Sequence, residues 1–157
     1  MILAVDTNIL LDVLIPDSAR ASSSLNYLTS LSSDEEVIVC EVVFAELASQ
    51  FVSLDNLLDF LRDTGIKVVP SSEETLFEAS RAWTRYLDKK RDRIICPSCA
   101  HAQPVVCESC NRVLRFRQHI LSDFLIGAHA KIQAEKIVTR DRGFYRTYFK
   151  GLNIATP

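Results

Sequence analysis

Short runs of consecutive apolar residues alternate with longer stretches in which apolar residues recur every three or four positions. The first run, Ile2 to Val5, stops at Asp6. Residues 37–40 form a second β-type run, and residues 66–69, 137–139 and the short 153–155 read as further strands. The first run, with no polar alternation, predicts a strand buried on both faces, the habit of parallel sheets. Between these segments the period is helical: Val43, Phe44, Leu47, Ala48 and Phe51; then Leu54, Leu57, Leu58 and Leu61; then Leu76, Ala79, Trp83 and Leu87. Start and stop signals fit. Thr7 or Asn8 can cap a helical turn after the first run. Pro16 interrupts, and Asp17 or Ser18 can cap a helix reaching about Leu31. Ser53 starts a helix that Gly65 ends; Pro70 stops the third strand. Ser72 caps a long helix, with Glu73 and Glu74 in its first turn and Lys89, Lys90 and Arg91 at its basic end. Another helix is expected over residues 122–134. Strands separated by helices predict an α/β fold around a mainly parallel sheet of four or five strands.

The 157 residues suit a single domain spanning 1–157, and 48% apolar with 24% charged residues is a globular profile. No apolar stretch approaches 18 residues, so no membrane span is expected. The N-terminus lacks a basic segment and a long enough apolar run for a signal peptide, which makes the cytoplasm the default. The net charge of −2 hides a split. Residues 1–80 hold 14 Asp/Glu against 3 Lys/Arg, a net −11, and residues 81–157 hold 6 against 15, a net +9. Such a split can set an acidic pocket beside a basic surface, or it can be mixed in space by folding.

Sites in open parallel sheets form at the carboxyl ends of strands. Asp6 follows the first strand, and Asp141 follows the fourth, two residues past Thr139. Glu46 lies on the helix after the second strand, and Asp123 in the first turn of a later helix. If the first and fourth strands are neighbours, Asp6 and Asp141 stand side by side and the other two can close a ring. Carboxylates so close repel and raise one another's pKa. A hard divalent cation such as Mg²⁺ or Mn²⁺ resolves this, and can activate water for in-line attack on a phosphodiester. Taken singly, each acid can instead be a helix cap or a solvated turn residue. Asp12 can join the rim or serve as a cap, and Asn8 can hydrogen-bond Asp6 or a metal-bound water.

Four segments carry a family resemblance. Residues 2–12, ILAVDTNILLD, resemble the opening of a PIN-domain nuclease. Residues 43–47, VFAEL, resemble its second acidic motif, residues 121–130, LSDFLIGAHA, its third, and residues 137–144, IVTRDRGF, its fourth. The order matches, and within the family the toxin ribonucleases of type II toxin–antitoxin pairs look nearest. The resemblance implies a three-layer α/β/α fold, with Asp6, Glu46, Asp123 and Asp141 as the acidic metal-binding quartet. It implies Mg²⁺- or Mn²⁺-dependent endonucleolytic cleavage of RNA to 5′-phosphate and 3′-hydroxyl ends, a homodimer, and a cognate antitoxin covering the site. Thr139 corresponds to a hydroxyl residue often found beside the fourth acid.

Residues 94–115 break the rhythm. Cys96 and Cys99, and Cys107 and Cys110, form two C-x₂-C pairs with seven residues between them, the spacing of a tetrahedral Cys₄ site. A structural Zn²⁺ would supply the folding energy of a zinc ribbon too short and polar to build a core. A redox pair, disulfides and an iron–sulfur cluster fit the spacing or the compartment less well. A Cys₄ ribbon leaves no open coordination position for catalysis. Toxin relatives have a short loop here, and some ribosome-assembly members of the family carry a ribbon after the domain instead. Lys89, Lys90, Arg91, Arg93, Arg112, Arg115 and Arg117 flank the insert. They can guide RNA, or the insert can contact a protein partner or be purely structural.

The remaining polar residues have plainer readings. His101 is a loop residue beside four cysteines, His119 and His129 are helix-associated, and Cys40 is a small buried hydrophobe. Arg140 and Arg142 bracket Asp141, and either can meet a substrate phosphate or an antitoxin carboxylate. Phe144, Tyr145, Tyr148 and Phe149 have helical spacing, which favours core packing over base stacking. Rival functions are a housekeeping, ribosome-related RNA-processing nuclease without an antitoxin, and a non-catalytic RNA- or protein-binding module on the same fold. A phosphatase with an aspartyl nucleophile would want an acid two positions past Asp6, where Asn8 stands.

Overall fold

The computed structural model describes all residues except 16–17, 33, 89–93, 96–101 and 115–118. The elements in order are β1 (Ile2–Val5), α1 (Thr7–Leu14), α2 (Ser18–Thr29), β2 (Glu36–Val39), α3 (Glu41–Ala48), α4 (Leu54–Thr64), β3 (Lys67–Val68) and α5 (Glu73–Leu87). There follow β4 (Ile94–Ile95), β5 (Ala102–Gln103), β6 (Val105–Val106), β7 (Val113–Leu114), α6 (Leu121–Gln133), β8 (Lys136–Val138), α7 (Arg142–Tyr148) and β9 (Asn153–Ala155). Five strands form one sheet in the order β3-β2-β1-β8-β9, with every pairing parallel. This is the expected α/β/α architecture. From β1 the chain builds outward on one side to β2 and β3, then returns to the other side for β8 and β9. The order therefore reverses between β1 and β8, where a crevice opens at the strand ends.

The apolar runs became the central strands because both their faces are covered: Leu3, Ala4, Val5, Ile38, Val39, Ile137 and Val138 are all buried. Several helix ends follow the sequence signals. Ser53 accepts from the Asn56 N–H, Ser72 from the Thr75 N–H, and Gly65 closes α4 at φ +69°, a left-handed conformation suited to glycine. Other boundaries move. Asp6 itself is the N-cap residue of α1, so Thr7 and Asn8 lie inside the helix rather than before it. Cys40 leaves the second strand to become the N-cap residue of α3. α5 ends at Leu87, with Asp88 after it. Pro16, Asp17 and the basic residues Lys89, Lys90, Arg91, Arg93, Arg115 and Arg117 lie outside the described residues.

The insert between α5 and α6 shows two short antiparallel pairs, β4 with β5 and β6 with β7. β6 and β7 flank a tight turn carrying Cys107 and Cys110. Cys107 donates its N–H to Arg112 O at 2.9 Å and accepts the Asn111 N–H on its carbonyl at 2.8 Å. Asn111 takes φ +54°, a left-handed turn position that asparagine tolerates. Cys96, Cys99 and His101 lie outside the described residues.

Candidate active site

The switch point of the sheet is acidic. Asp6 caps the end of β1, and its N–H donates to Val138 O of β8 at 3.0 Å, extending the strand pairing to the edge of the site. Asp141, past the end of β8, caps α7, with its Oδ1 accepting the Phe144 N–H at 3.1 Å. Asp123 enters from the first turn of α6, where Oδ2 accepts the Ile120 N–H at 2.9 Å. Glu46 comes from α3, held by the Thr7 hydroxyl. All four line one cavity of about 240 Å³, together with Thr7, Asn8, Leu11, Ile126, Phe144 and Tyr145. Among the described residues, no Lys, Arg or His lines it.

Asp6 is the most constrained of the four. It is 7% exposed, and its Oδ2 accepts three hydrogen bonds: Asn8 Nδ2 at 2.6 Å, Thr139 Oγ1 at 2.6 Å and Tyr145 Oη at 3.1 Å. Thr139 Oγ1 in turn accepts from Asn8 Nδ2 at 3.2 Å and from the Asp141 N–H at 3.0 Å, so one hydroxyl links the first and fourth acids. Burial pushes the Asp6 carboxyl above the usual carboxylate range. The hydrogen bonds from Thr139 and Tyr145 pull it down, and the charges of Asp123 and Glu46 push it further up. Tyr145 is buried beside these acids. Burial first, then the charge of Asp6, holds its hydroxyl well above the ordinary tyrosine value, so it stays a proton donor.

Among the described residues, no three His, Cys, Asp or Glu side chains are gathered as a ready-made ligand set. The acids face a shared cavity, each with an oxygen turned toward a protein donor. Their chemistry still fits a hard divalent ion. They are oxygen donors only, with no cation among the described lining residues, and burial raises the cost of Asp6 as a lone anion.

Several candidates stand elsewhere. Asp12 does not line the cavity. It takes the Arg140 guanidinium Nε at 2.5 Å and the Ser24 hydroxyl at 2.9 Å. Arg140 also donates to the hydroxyls of Ser23 and Ser24 at 2.9 and 2.8 Å, so its guanidinium ties β8 to α1 and α2. It is not presented to the cavity, whereas Arg142 is exposed at the start of α7. His129 is buried and donates Nε2–H to Val69 O at 2.9 Å. His119 packs on Phe144 at 4.3 Å between ring centres with the rings tilted by 34°, and its Nδ1 lies 3.5 Å from Asp123 Oδ2. Cys40 is buried, as a small hydrophobe should be.

Two residues with evident roles escaped the sequence. Tyr145 packs in the aromatic cluster but also places its hydroxyl on Asp6. The available signal was its position four residues past Asp141, one helical turn on the same face. Thr7 holds Glu46 across 39 residues of chain, which no local pattern reveals. In the insert, backbone N–H groups of Cys110 and Ser109 aimed at the Cys107 sulfur hold its thiol below the ordinary cysteine value.

The sequence model of the PIN domain matches residues 3–150, nearly the whole chain, and the chain belongs to the PIN-domain family. Solved structures with the same fold include VapBC2 from Rickettsia felis bound to a DNA fragment from its promoter. That match has TM-score 0.62 and 19% identity, covering 99% of this chain and 98% of that one. VapBC-1 from nontypeable Haemophilus influenzae matches at TM-score 0.61 and 16% identity, over 99% and 98% of the two chains. FitAcB from Neisseria gonorrhoeae matches at 0.59 and 18%, over 98% and 96%. No curated protein shows significant similarity.

Proposed function

We propose that the chain is a Mg²⁺- or Mn²⁺-dependent endoribonuclease and the toxin of a toxin–antitoxin pair. The observation that carries this reading is the meeting of Asp6, Glu46, Asp123 and Asp141, from four separate elements, on one cavity lined by no cation among the described residues. Membership of the PIN family and near-full-length likeness to chains of VapBC and FitAcB assemblies support it. The four acids would hold the metal, which would supply charge neutralisation at the phosphodiester and an activated water. Thr139, Asn8 and Tyr145 fix Asp6 through Oδ2; Oδ1 accepts no hydrogen bond from a described residue. Glu46 is oriented by Thr7 and Asp123 by the start of α6. Water adds to phosphorus and the 3′-oxygen leaves, giving 5′-phosphate and 3′-hydroxyl ends. No protein nucleophile is required.

The same reading assigns Cys96, Cys99, Cys107 and Cys110 to a structural Zn²⁺ in a 94–115 ribbon within a single 1–157 domain. It expects a homodimer in the cytoplasm, with a cognate antitoxin over the cavity. No described helix is long and apolar enough to cross a membrane. The test is cleavage of a mixed RNA pool by nuclease-free protein with Mg²⁺ or Mn²⁺, against Asp6→Asn. Metal-dependent cuts with 5′-phosphate ends, absent from Asp6→Asn, are expected; equal cutting by the variant refutes the assignment. The product of a small adjacent gene should co-purify and block cleavage, and its absence would favour housekeeping RNA processing. Elemental analysis should find zinc, lost in Cys107→Ser/Cys110→Ser.

A further inference from the structure

A second cleft is the chemical opposite of the acidic one. It encloses about 530 Å³ between α5, α6 and the end of α7, and its walls carry Arg81, Arg85, Lys131 and Lys150 with Thr147 and Tyr148. All four cations are exposed. The one acid among the described lining residues, Glu78, is already paired: its Oε1 takes Lys131 Nζ at 2.8 Å and lies 3.8 Å from Arg85. The walls therefore keep a surplus of positive charge. Among the described residues, no aliphatic side chain lines the cleft. A protein-docking surface needs buried apolar anchors at its centre. Arginine and lysine around hydroxyls and one aromatic ring form the surface that nucleic-acid backbones select.

Position completes the case. Two helices wall both clefts: on α7, Phe144 and Tyr145 line the acidic cavity and Thr147 and Tyr148 the basic one, and on α6, Asp123 and Ile126 line the first and Lys131 the second. The Phe144 and Tyr148 rings touch, at 5.3 Å between centres. Asp123 and Lys131 stand eight residues apart on α6, about 12 Å along the helix, so a strand a few nucleotides long spans from one cleft to the other. We propose that the α5–α6–α7 cleft binds the phosphodiester backbone of the RNA strand a few nucleotides from the bond that is cut. This rests on the nuclease reading above.

The test uses Arg81→Glu/Lys150→Glu in the full chain, in the Asp6→Asn background so that RNA stays intact. The probe is fluorescein-labelled single-stranded RNA long enough to span both clefts, followed by anisotropy across a KCl series. A charge-matched control, Arg62→Glu/Lys67→Glu, alters α4 and β3 on the other side of the sheet. The cleft variant should bind at least about tenfold more weakly, and the slope of log affinity against log salt should shrink by about 1.4, two phosphate contacts' worth. The control should bind like the parent. With Asp6 restored, the cleft variant should raise KM on the long RNA and leave kcat unchanged, while cleavage of an RNA too short to leave the acidic cavity stays the same. Equal weakening by both double variants overturns the proposal, since bulk charge then explains it. Intact RNA binding with lost binding of the protein inhibitor also overturns it and gives the cleft to an acidic protein segment. If the unmutated protein cuts no RNA while the cleft variant still loses RNA affinity, it is the nuclease reading that fails and the cleft remains an RNA site.

Discussion

Replacing Gly127 by alanine sets a methyl group where Phe149 already stands. A Cβ built there lies 2.2 Å from Phe149 Cε2, 2.6 Å from Cζ and 2.7 Å from Cδ2. Ordinary carbon contacts are about 3.5–4.0 Å, so the ring must retreat by about 1.3 Å or more. It has little room, being 1% exposed and packed against Phe124, Phe144 and Tyr145 at 6.3, 6.0 and 6.1 Å between centres. Two terms oppose. Alanine gains about 1 kcal/mol over glycine in a helix interior. Overpacking a closed core costs about 1–3 kcal/mol, and three short contacts in one aromatic cluster put this site at the upper end. The net is a loss of about 2 kcal/mol, or roughly 4–8 °C in Tm for a chain of this size. Thermal unfolding followed by circular dichroism reads this directly. Because Phe144 and Tyr145 also line the acidic cavity, cleavage should fall as well, and Gly127→Ala/Phe149→Leu should recover part of the lost stability. An unchanged or raised Tm for Gly127→Ala would mean that helix propensity wins and the contact is soft, which refutes the reasoning.

Tyr145→Phe removes one of three donors from Asp6 while keeping the ring. Cleavage kcat should drop about tenfold, about 1.4 kcal/mol, with Tm nearly unmoved; undiminished turnover would deny Tyr145 a positioning role. Arg140→Ala cuts the ties to Asp12, Ser23 and Ser24 and should cost about 2 kcal/mol in urea unfolding. The salt slope of RNA binding should not change, and a loss of about 0.7 in that slope would make Arg140 a phosphate contact after all. His129 titrates low because burial disfavours its charged form, against weaker upward pulls from the Val69 carbonyl and Glu41. The folded chain thus takes up its proton less readily than the unfolded one. Stability from this group is full above the unfolded value of about 6.5 and is lost as pH falls through it toward the folded value. His129→Gln should flatten the urea-derived stability profile across that window, and identical slopes would exclude the histidine as its cause.

Much of this was readable before any coordinates. Parallel strands buried on both faces write themselves as unbroken apolar runs, and Ser53, Gly65 and Ser72 marked helix ends through chemistry confined to one turn. Asp6 and Asp141 were legible as a pair because strand-end position is a one-dimensional property, whereas Glu46 and Asp123 sit on helices and reach the same cavity only through the packing of α3 and α6. What escaped depends on contacts across the chain. Arg140 and Asp12 look equally available for the site until α2 brings Ser23 and Ser24 to the guanidinium. Tyr145 hides in an aromatic run whose spacing reports only that it packs, not where its hydroxyl ends. Asp6, rather than Thr7 or Asn8, caps α1 because the turn begins directly at the strand end, a shift of one residue that periodicity does not resolve.

The register of β1 on β8 pairs Val5 with Val138, so the acidic cavity joins segments some 130 residues apart along the chain. That pairing also acts as a clock. While the polypeptide is being made, Asp6 waits, with one flank of its strand bare, through some 130 residues of synthesis until β8 is made. Asp141 follows only after β8. If the cavity cuts RNA, the growing chain is inert toward the message that encodes it until β8 docks on β1.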